Sequence, residues 1–172
     1  FLLKNNKIIF TFVAVFVIFI SYLLIPTFYS QLEISKKLKN ELENKLDLDF
    51  TFSSNIRYNF FPTPHFTTKE TTIYSNESEI SKIKELKIFI SLDNLFSLKD
   101  IKIKDIIFEN ANFNLNKKNY DLFLQLLDND YKDGNLTIKD SNIFFRYVED
   151  EVLFISKILK TKYYYDHKEY KN

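Results

Sequence analysis

The chain has 172 residues, with 24 Lys+Arg against 23 Asp+Glu, and its formal net charge of +1 excludes a dedicated nucleic-acid binder held by a basic surface. Cysteine is absent, which removes a disulfide framework, a thiol nucleophile and a thiolate zinc site. One Gly, no Trp and an excess of Lys, Asn, Ile, Phe and Tyr are what an AT-rich genome produces, so the Asn runs carry no chemistry, and a chain without Met that starts on Phe1 is expected to be a piece of something longer.

Ile8 to Ile25, IIFTFVAVFVIFISYLLI, carries no charge, and its only aliphatic hydroxyls are Thr11 and Ser21. As a helix it spans roughly 27 Å, close to the roughly 30 Å hydrocarbon core of a bilayer, and it is expected to be a transmembrane anchor. A signal-peptide h-region is shorter and leads to a small-residue cleavage site, which Ala14 does not supply. Pro26 follows, and Tyr22, Phe28 and Tyr29 fall near one interface, where aromatic rings are favoured. Lys4 and Lys7 precede the span, whereas Lys36, Lys37 and Lys39 follow it among Glu33, Glu41 and Glu43, so charge counting does not set the orientation.

Leu32 to Leu46 places Ile34, Leu38, Leu42 and Leu46 four apart on an otherwise charged segment, the mark of a short amphipathic helix. The stripe is narrow and has no aromatic residue, so packing on the following domain is favoured over lying on a membrane. Beyond Asp47 the period becomes two. LDLDFTFS sets Leu46, Leu48, Phe50 and Phe52 against Asp47, Asp49, Thr51 and Ser53, and Leu86, Ile88, Ile90 and Leu92 share one face of ELKIFISLDNLF. IKIKD, with Ile101 and Ile103, and ANFNLN, with Ala111, Phe113 and Leu115 opposite Asn112, Asn114 and Asn116, continue the alternation. The fold class expected is α+β, an apolar helix and a short amphipathic helix followed by an antiparallel, twisted sheet. A short helix capped near Asn119 is expected over Leu122, Phe123, Leu126 and Leu127. KDIKIKD (Lys99 to Asp105) and KDGNLTIKD (Lys132 to Asp140) form a weak repeat that matches Ile103 and Asp105 to Ile138 and Asp140, suggesting a repeated strand pair.

Chemistry is sparse. His65 and His167 have neither a second ligand nor a base partner at useful spacing. DNDYKDG (Asp128 to Gly134) fails as a calcium loop, with Lys132 fifth, Asp133 where Gly belongs and Lys139 where the closing Glu belongs. Gly134 is the only glycine, so no phosphate-cradling glycine loop exists, and EDE (Glu149 to Glu151) reads as a solvated turn. NES at Asn76 and NLT at Asn135 are chance sequons in an Asn-rich chain, and KTKYYYDHKEYK, which holds Tyr163, Tyr164, Tyr165 and Tyr170, reads as a wet strand or a domain edge rather than a nucleic-acid surface. We therefore expect no enzyme, no metal and no cofactor. In YNFFPTPHFTTKETTIYS (Tyr58 to Ser75), Pro62 and Pro64 cannot donate ladder hydrogen bonds and belong at a strand end or edge. Phe60, Phe61 and Phe66 are expected to anchor that joint against the apolar face, leaving His65 as a strand-edge residue.

The order of these elements carries a resemblance. An apolar span, ISKKLKNELENKLDLDFTFSSNI, then FFPTPHF, then IKELKIFISLDNLFSLKDIKIKDIIFENANFNL and GNLTIKDSNIFF resemble the N-terminal region of the AsmA family over roughly Ile8 to Ile155, with the Phe61, Pro62 and Pro64 run standing as its structural motif. The chain departs from the pattern at Asn55, where the family usually has glycine. The resemblance implies an anchor with flanks over 1–30, an amphipathic helix over 31–47 and a β-rich domain over 48–172, truncated at its C-terminus. It further implies a single-pass inner-membrane protein of a Gram-negative bacterium with a cytoplasmic N-terminus and a periplasmic body. Outer-membrane biogenesis and phospholipid transfer along an elongated β-groove are the implied role, with membrane lipid and envelope proteins as partners. The candidate lipid-facing or core face is Leu86, Ile88, Ile90, Leu92, Ile101, Ile103, Phe113 and Leu115; a membrane-tethered module that binds a protein through its sheet edge is the alternative.

Overall fold

A computed structural model describes residues 2–75, 78–93, 95–121, 134–148 and 151–164. The expected helix around Leu122 to Leu127, the DNDYKDG loop up to Asp133, the sequon at Asn76, the Glu149–Asp150 turn and the tail after Tyr164 lie outside the described residues.

Helix α1 (Leu2–Leu24) contains the uncharged run except its last residue, Ile25, and its apolar side chains from Ile8 to Phe19 are exposed. The hydroxyls of Thr11 and Ser21 donate to the carbonyls of Lys7 and Val17 (2.9 and 2.8 Å), so neither presents an unsatisfied polar group to the surroundings of the helix. Pro26 occupies the first turn of a 3-10 segment (Ile25–Phe28) that breaks the helix. Ser30 then starts α2 (Gln31–Leu46) as its N-cap, its hydroxyl accepting from the Glu33 amide (3.2 Å) and donating to Glu33 Oε2 (2.9 Å), and Asp47 ends the helix in a left-handed conformation. Ile34, Leu38, Leu42 and Leu46 are all buried, as their spacing requires.

The strands are β1 (Asp49–Phe52), β2 (Arg57–Asn59), β3 (His65–Ser75), β4 (Ser78–Ile90), β5 (Ile103–Leu115), β6 (Asn135–Val148) and β7 (Glu151–Tyr163). They form one sheet in the order β1-β3-β4-β5-β6-β7, with β2 also paired to β3. The sheet is antiparallel as expected at every pairing but one, β5–β6, which is parallel. A parallel neighbour needs a crossover of a dozen residues or more, which the 116–134 connection supplies. Gly134 stands where that connection meets the sheet. At φ 153 it lies so close to β5 that an added Cβ would sit 1.9 Å from the Lys104 carbonyl oxygen.

One irregularity repeats in every long strand. The buried positions run Phe66 and Thr68, then Thr71 and Ile73 in β3; Leu86 and Ile88, then Ser81 and Ile83 in β4; Ile106 and Phe108, then Ala111 and Phe113 in β5; and Leu136 and Ile138, then Ser141 and Ile143 in β6. Each strand therefore holds one extra residue at which the inward parity flips. The flanking ladder pairs put Glu70, Lys84, Asn110, Asp140 and Leu159 at the same level, so the register is unbroken across the line. Glu70, Asn110 and Asp140 have φ of 52, 55 and 47°, left-handed values that turn the strand sharply. The edge repeats the device, since β1 pairs beyond the line and β2 before it, and Ser54 Oγ between them accepts from the Lys69 amide (2.8 Å).

This row creases the whole sheet into a trough. Phe50 of β1 is three ladders from β5 and level there with Phe113, five residues from Phe108, a separation of roughly 20 Å in a flat sheet, yet the Phe50 and Phe108 ring centroids are 6.4 Å apart. Only a concave sheet brings them together. The residues just inside the bend, Thr71, Ala111 and Ser141, are small and fully buried, and Ser141 Oγ accepts from the Ala111 amide (3.0 Å) while donating to the Lys139 carbonyl (2.7 Å). The strained left-handed glutamate gives a test: Glu70→Gly should raise stability by about 1 kcal/mol, whereas Asn110→Val should lower it by about 2 kcal/mol, read as opposite shifts in thermal midpoint.

Candidate functional site

The site is the trough and its seat on α1. Of the expected face, Leu86, Ile88 and Ile90 line β4, Ile103, Phe113 and Leu115 line β5, and Ile101 caps a 3-10 turn (Leu98–Asp100) just before β5; all are buried. Leu92 departs from the face. It lies past the end of β4, 44% exposed. The strand alternation ends at Ile90, whose amide bonds to the Pro64 carbonyl (3.2 Å), so the period-two reading overruns by one residue pair.

Helix α2 lies across the trough and is pinned by polar contacts at both sides. Lys37 Nζ donates to the Lys99 carbonyl (2.9 Å), Glu43 Oε1 accepts from the Phe50 amide (3.3 Å) and Gln31 Oε1 accepts from the Ile56 amide (3.2 Å). Its four aliphatic residues belong to the same buried cluster as the sheet face, so in this conformation the face is a packed core under a helix. Two hydroxyls inside it, Thr71 Oγ1 and Ser81 Oγ, are buried with no partner among the described residues.

Tyrosines bind the mouth of the trough to α1. The Tyr22 hydroxyl donates to the Leu92 carbonyl (2.7 Å) and accepts from the Leu95 amide (2.9 Å), Tyr29 donates to the Leu95 carbonyl, and Tyr58 donates to the Leu23 carbonyl (2.7 Å). Phe96 packs on Tyr22 at 5.2 Å and helps line an apolar crevice with Ile18 and Phe19 on the side of α1. Burial pushes the Tyr58 phenol up to about 12 and raises Tyr29 also.

The proline joint lies at this same end. Pro64 is buried and Phe66 packs at a tilt against its ladder partner Tyr58, but Phe61 is 78% exposed and Phe60 and Pro62 are exposed, so of the three phenylalanines only Phe66 anchors the joint. The Phe61–Pro62 peptide is cis. His65 stacks on its ladder partner Phe89 (4.9 Å) with Nδ1 against the Thr63 carbonyl (2.7 Å), a structural arrangement. On the outer face Lys87 bridges Glu109 (2.6 Å) and Glu85 (3.0 Å); burial lowers its pKa, but these two carboxylates outweigh that and hold it above the usual value.

The sequence profile of the AsmA family matches residues 3–143. The chain belongs to the AsmA family. The match runs from α1 through the crease of β6, so the AsmA region contains the apolar helix α1, α2, the proline joint and the trough. AsmA membership associates the chain with the cell envelope and with outer-membrane biogenesis. No curated protein matches the chain.

The crease and its lining escaped the sequence reading, although a signal was present. F-T-T-K-E-T-T-I (Phe66 to Ile73), I-I-F-E-N-A-N-F (Ile106 to Phe113) and L-T-I-K-D-S-N-I (Leu136 to Ile143) share one pattern, apolar positions around a charged residue, a Glu, Asn or Asp, and a small residue. The true β5–β6 correspondence is Asp105 with Asn135, so the repeat that matched Ile103 and Asp105 to Ile138 and Asp140 is out of register by five residues.

Two measurements probe the site. A raised folded pKa means that Tyr58 contributes its stability fully below pH ~10 and loses it as pH rises toward 12. Tyr58→Phe should therefore flatten part of the alkaline loss in a pH-dependent unfolding series, while costing about 1 kcal/mol at neutral pH for the bond to Leu23. Thr71→Val, which replaces an unpartnered hydroxyl by a methyl, should raise stability by about 1 kcal/mol in denaturant titration.

Proposed function

We propose that this chain is the membrane-anchored start of a lipid-carrying envelope protein. In this reading α1 crosses the inner membrane with its N-terminus in the cytoplasm, and the creased sheet in the periplasm forms the first section of an apolar groove along which phospholipid acyl chains pass during outer-membrane biogenesis. The observation that carries it is the coupling of groove to anchor. The hydroxyl bonds of Tyr22, Tyr29 and Tyr58 fix the mouth of the trough at the end of the apolar helix, where acyl chains would leave a bilayer. Each CH₂ moved from water into such an interior is favoured by about 0.8 kcal/mol, so a continuous apolar lining is sufficient to guide a lipid.

In the observed conformation α2 occupies the lining, and lipid passage therefore requires α2 to slide or lift. Its capped ends and polar contacts make it a separable plug. A second reading rests on β7, the last strand of the sheet, where Leu153, Ile155 and Leu159 are exposed. Such an edge accepts another strand, from a continuing sheet or from a protein partner.

Photoreactive residues at Ile88 and at Phe113 in cells should yield adducts with phospholipid. Leu38→Ala, which removes about 2–5 kcal/mol of packing from the plug, should increase the lipid adduct at Ile88. Protein adducts alone at both positions would overturn lipid carriage and favour the edge-binding module.

A further inference from the structure

The outer face of the sheet holds a second cleft near the mouth of the trough. It has a volume of about 570 Å³ and is lined by Lys104, Lys139, Lys160 and Lys162, with Phe89 and Ile107 as its apolar wall. The lysines come from β5, β6 and β7, and the ladder register brings them together. Lys139 is directly opposite Lys160, and Lys162 is opposite Thr137, two residues along the same face. Cβ atoms of opposed residues lie about 5 Å apart, and like charges so placed repel.

Local carboxylates do not relieve this repulsion. Among the described residues none of the four lysines forms an ion pair, and Glu109, the ladder neighbour of Lys139, is taken by Lys87 at 2.6 Å. Asp93 and Asp105 also line the cleft, leaving two positive charges in excess (four Lys against two Asp), and Asp105 already accepts from the Asn135 amide group. A fold that sets opposed lysines around an apolar wall is arranged for an anion that carries carbon with it. Lysine serves phosphate as a mobile point charge.

The position of the cleft selects the source of that phosphate. Leu92 and Asp93 form its rim, and the Leu92 carbonyl accepts from Tyr22 of α1. The cleft thus opens within one short loop of the apolar helix, at the level where a bilayer carries its headgroups, roughly 5–8 Å beyond the hydrocarbon edge. We propose that this cleft binds the phosphate of an anionic phospholipid from the adjoining leaflet, with the glycerol and first acyl carbons against Phe89 and Ile107. The proposal rests on the reading of α1 as an anchor. It is distinct from the trough, because Phe89, Ile107, Thr137 and Lys139 stand on the opposite face from Ile88, Ile106, Leu136 and Ile138.

The test uses the full chain in neutral detergent micelles, titrated calorimetrically with dihexanoyl phosphatidylglycerol, dihexanoyl phosphatidylcholine or inorganic phosphate. Phosphatidylglycerol should bind about tenfold or more tightly than either of the others. A K139Q/K160Q variant should lose about tenfold in affinity, whereas K157Q, across the crease on the same strand, should bind as the unaltered chain. Without lipid, K160Q should melt at a higher temperature because the opposed charges are gone, which separates loss of binding from loss of fold. Equal binding of phosphatidylcholine, equal binding of inorganic phosphate, or unchanged affinity in K139Q/K160Q would each overturn the proposal. Alkaline extraction of membranes tests the anchor separately. A chain released by carbonate that still binds phosphatidylglycerol would overturn the anchor alone, and a retained chain that fails to bind it would overturn the cleft alone.

Discussion

The structure depends on a row of extra residues, one per strand, aligned across the sheet. A single added residue in one strand would move its apolar side chains to the wrong face and break the ladder with its neighbours. Because Glu70, Lys84, Asn110, Asp140 and Leu159 occupy one level, the hydrogen-bond register continues on both sides of the line and the sheet folds as a unit. Small buried residues follow from this. At the inside of a crease the facing walls approach each other, and Thr71, Ala111 and Ser141 leave room for that approach.

From the crease follow the other features. Concavity brings the Phe50 and Phe108 rings together and lets one helix cover strands from β1 to β5. The same bend separates the sheet's outer face into two slopes, and the lysine cleft occupies the slope nearest α1. An apolar interior and a basic exterior therefore meet at the same end of the domain. For a protein seated on a membrane, that arrangement presents acyl-chain chemistry on one face and headgroup chemistry on the other.

Tyrosine supplies the mechanical link. Its ring packs on apolar surface while its hydroxyl reaches a backbone group, which suits a boundary that is apolar on one side and polar on the other. Tyr22, Tyr29 and Tyr58 each spend their hydroxyl on a backbone carbonyl at the junction of helix and sheet. The backbone at Leu92 and Leu95 is thereby held to the helix end, and α1 joins the domain's packing through Leu23, as the 3-10 segment after it does through Pro26.

Much of this architecture was legible in the sequence. The uncharged run defines α1, the four-residue spacing of Ile34, Leu38, Leu42 and Leu46 defines the buried face of α2, and alternation defines β4 and β5, because each is a local pattern set by backbone period. The proline joint was placed at a strand end for the same local reason. What stayed hidden involves residues far apart in the chain. The parallel pairing of β5 with β6, the register offset between them, the exposure of Leu92, Phe60 and Phe61, and the alignment of Asn110 with Asp140 depend on which strand lies beside which. A left-handed Glu70 has no propensity signal of its own, and four lysines on three strands form a cluster only after the ladders set their levels. The sequence by itself determined the elements and their apolar faces, since these follow from side-chain period. Tertiary structure alone decided the crease, the trough and the cleft, since these arise from register between strands.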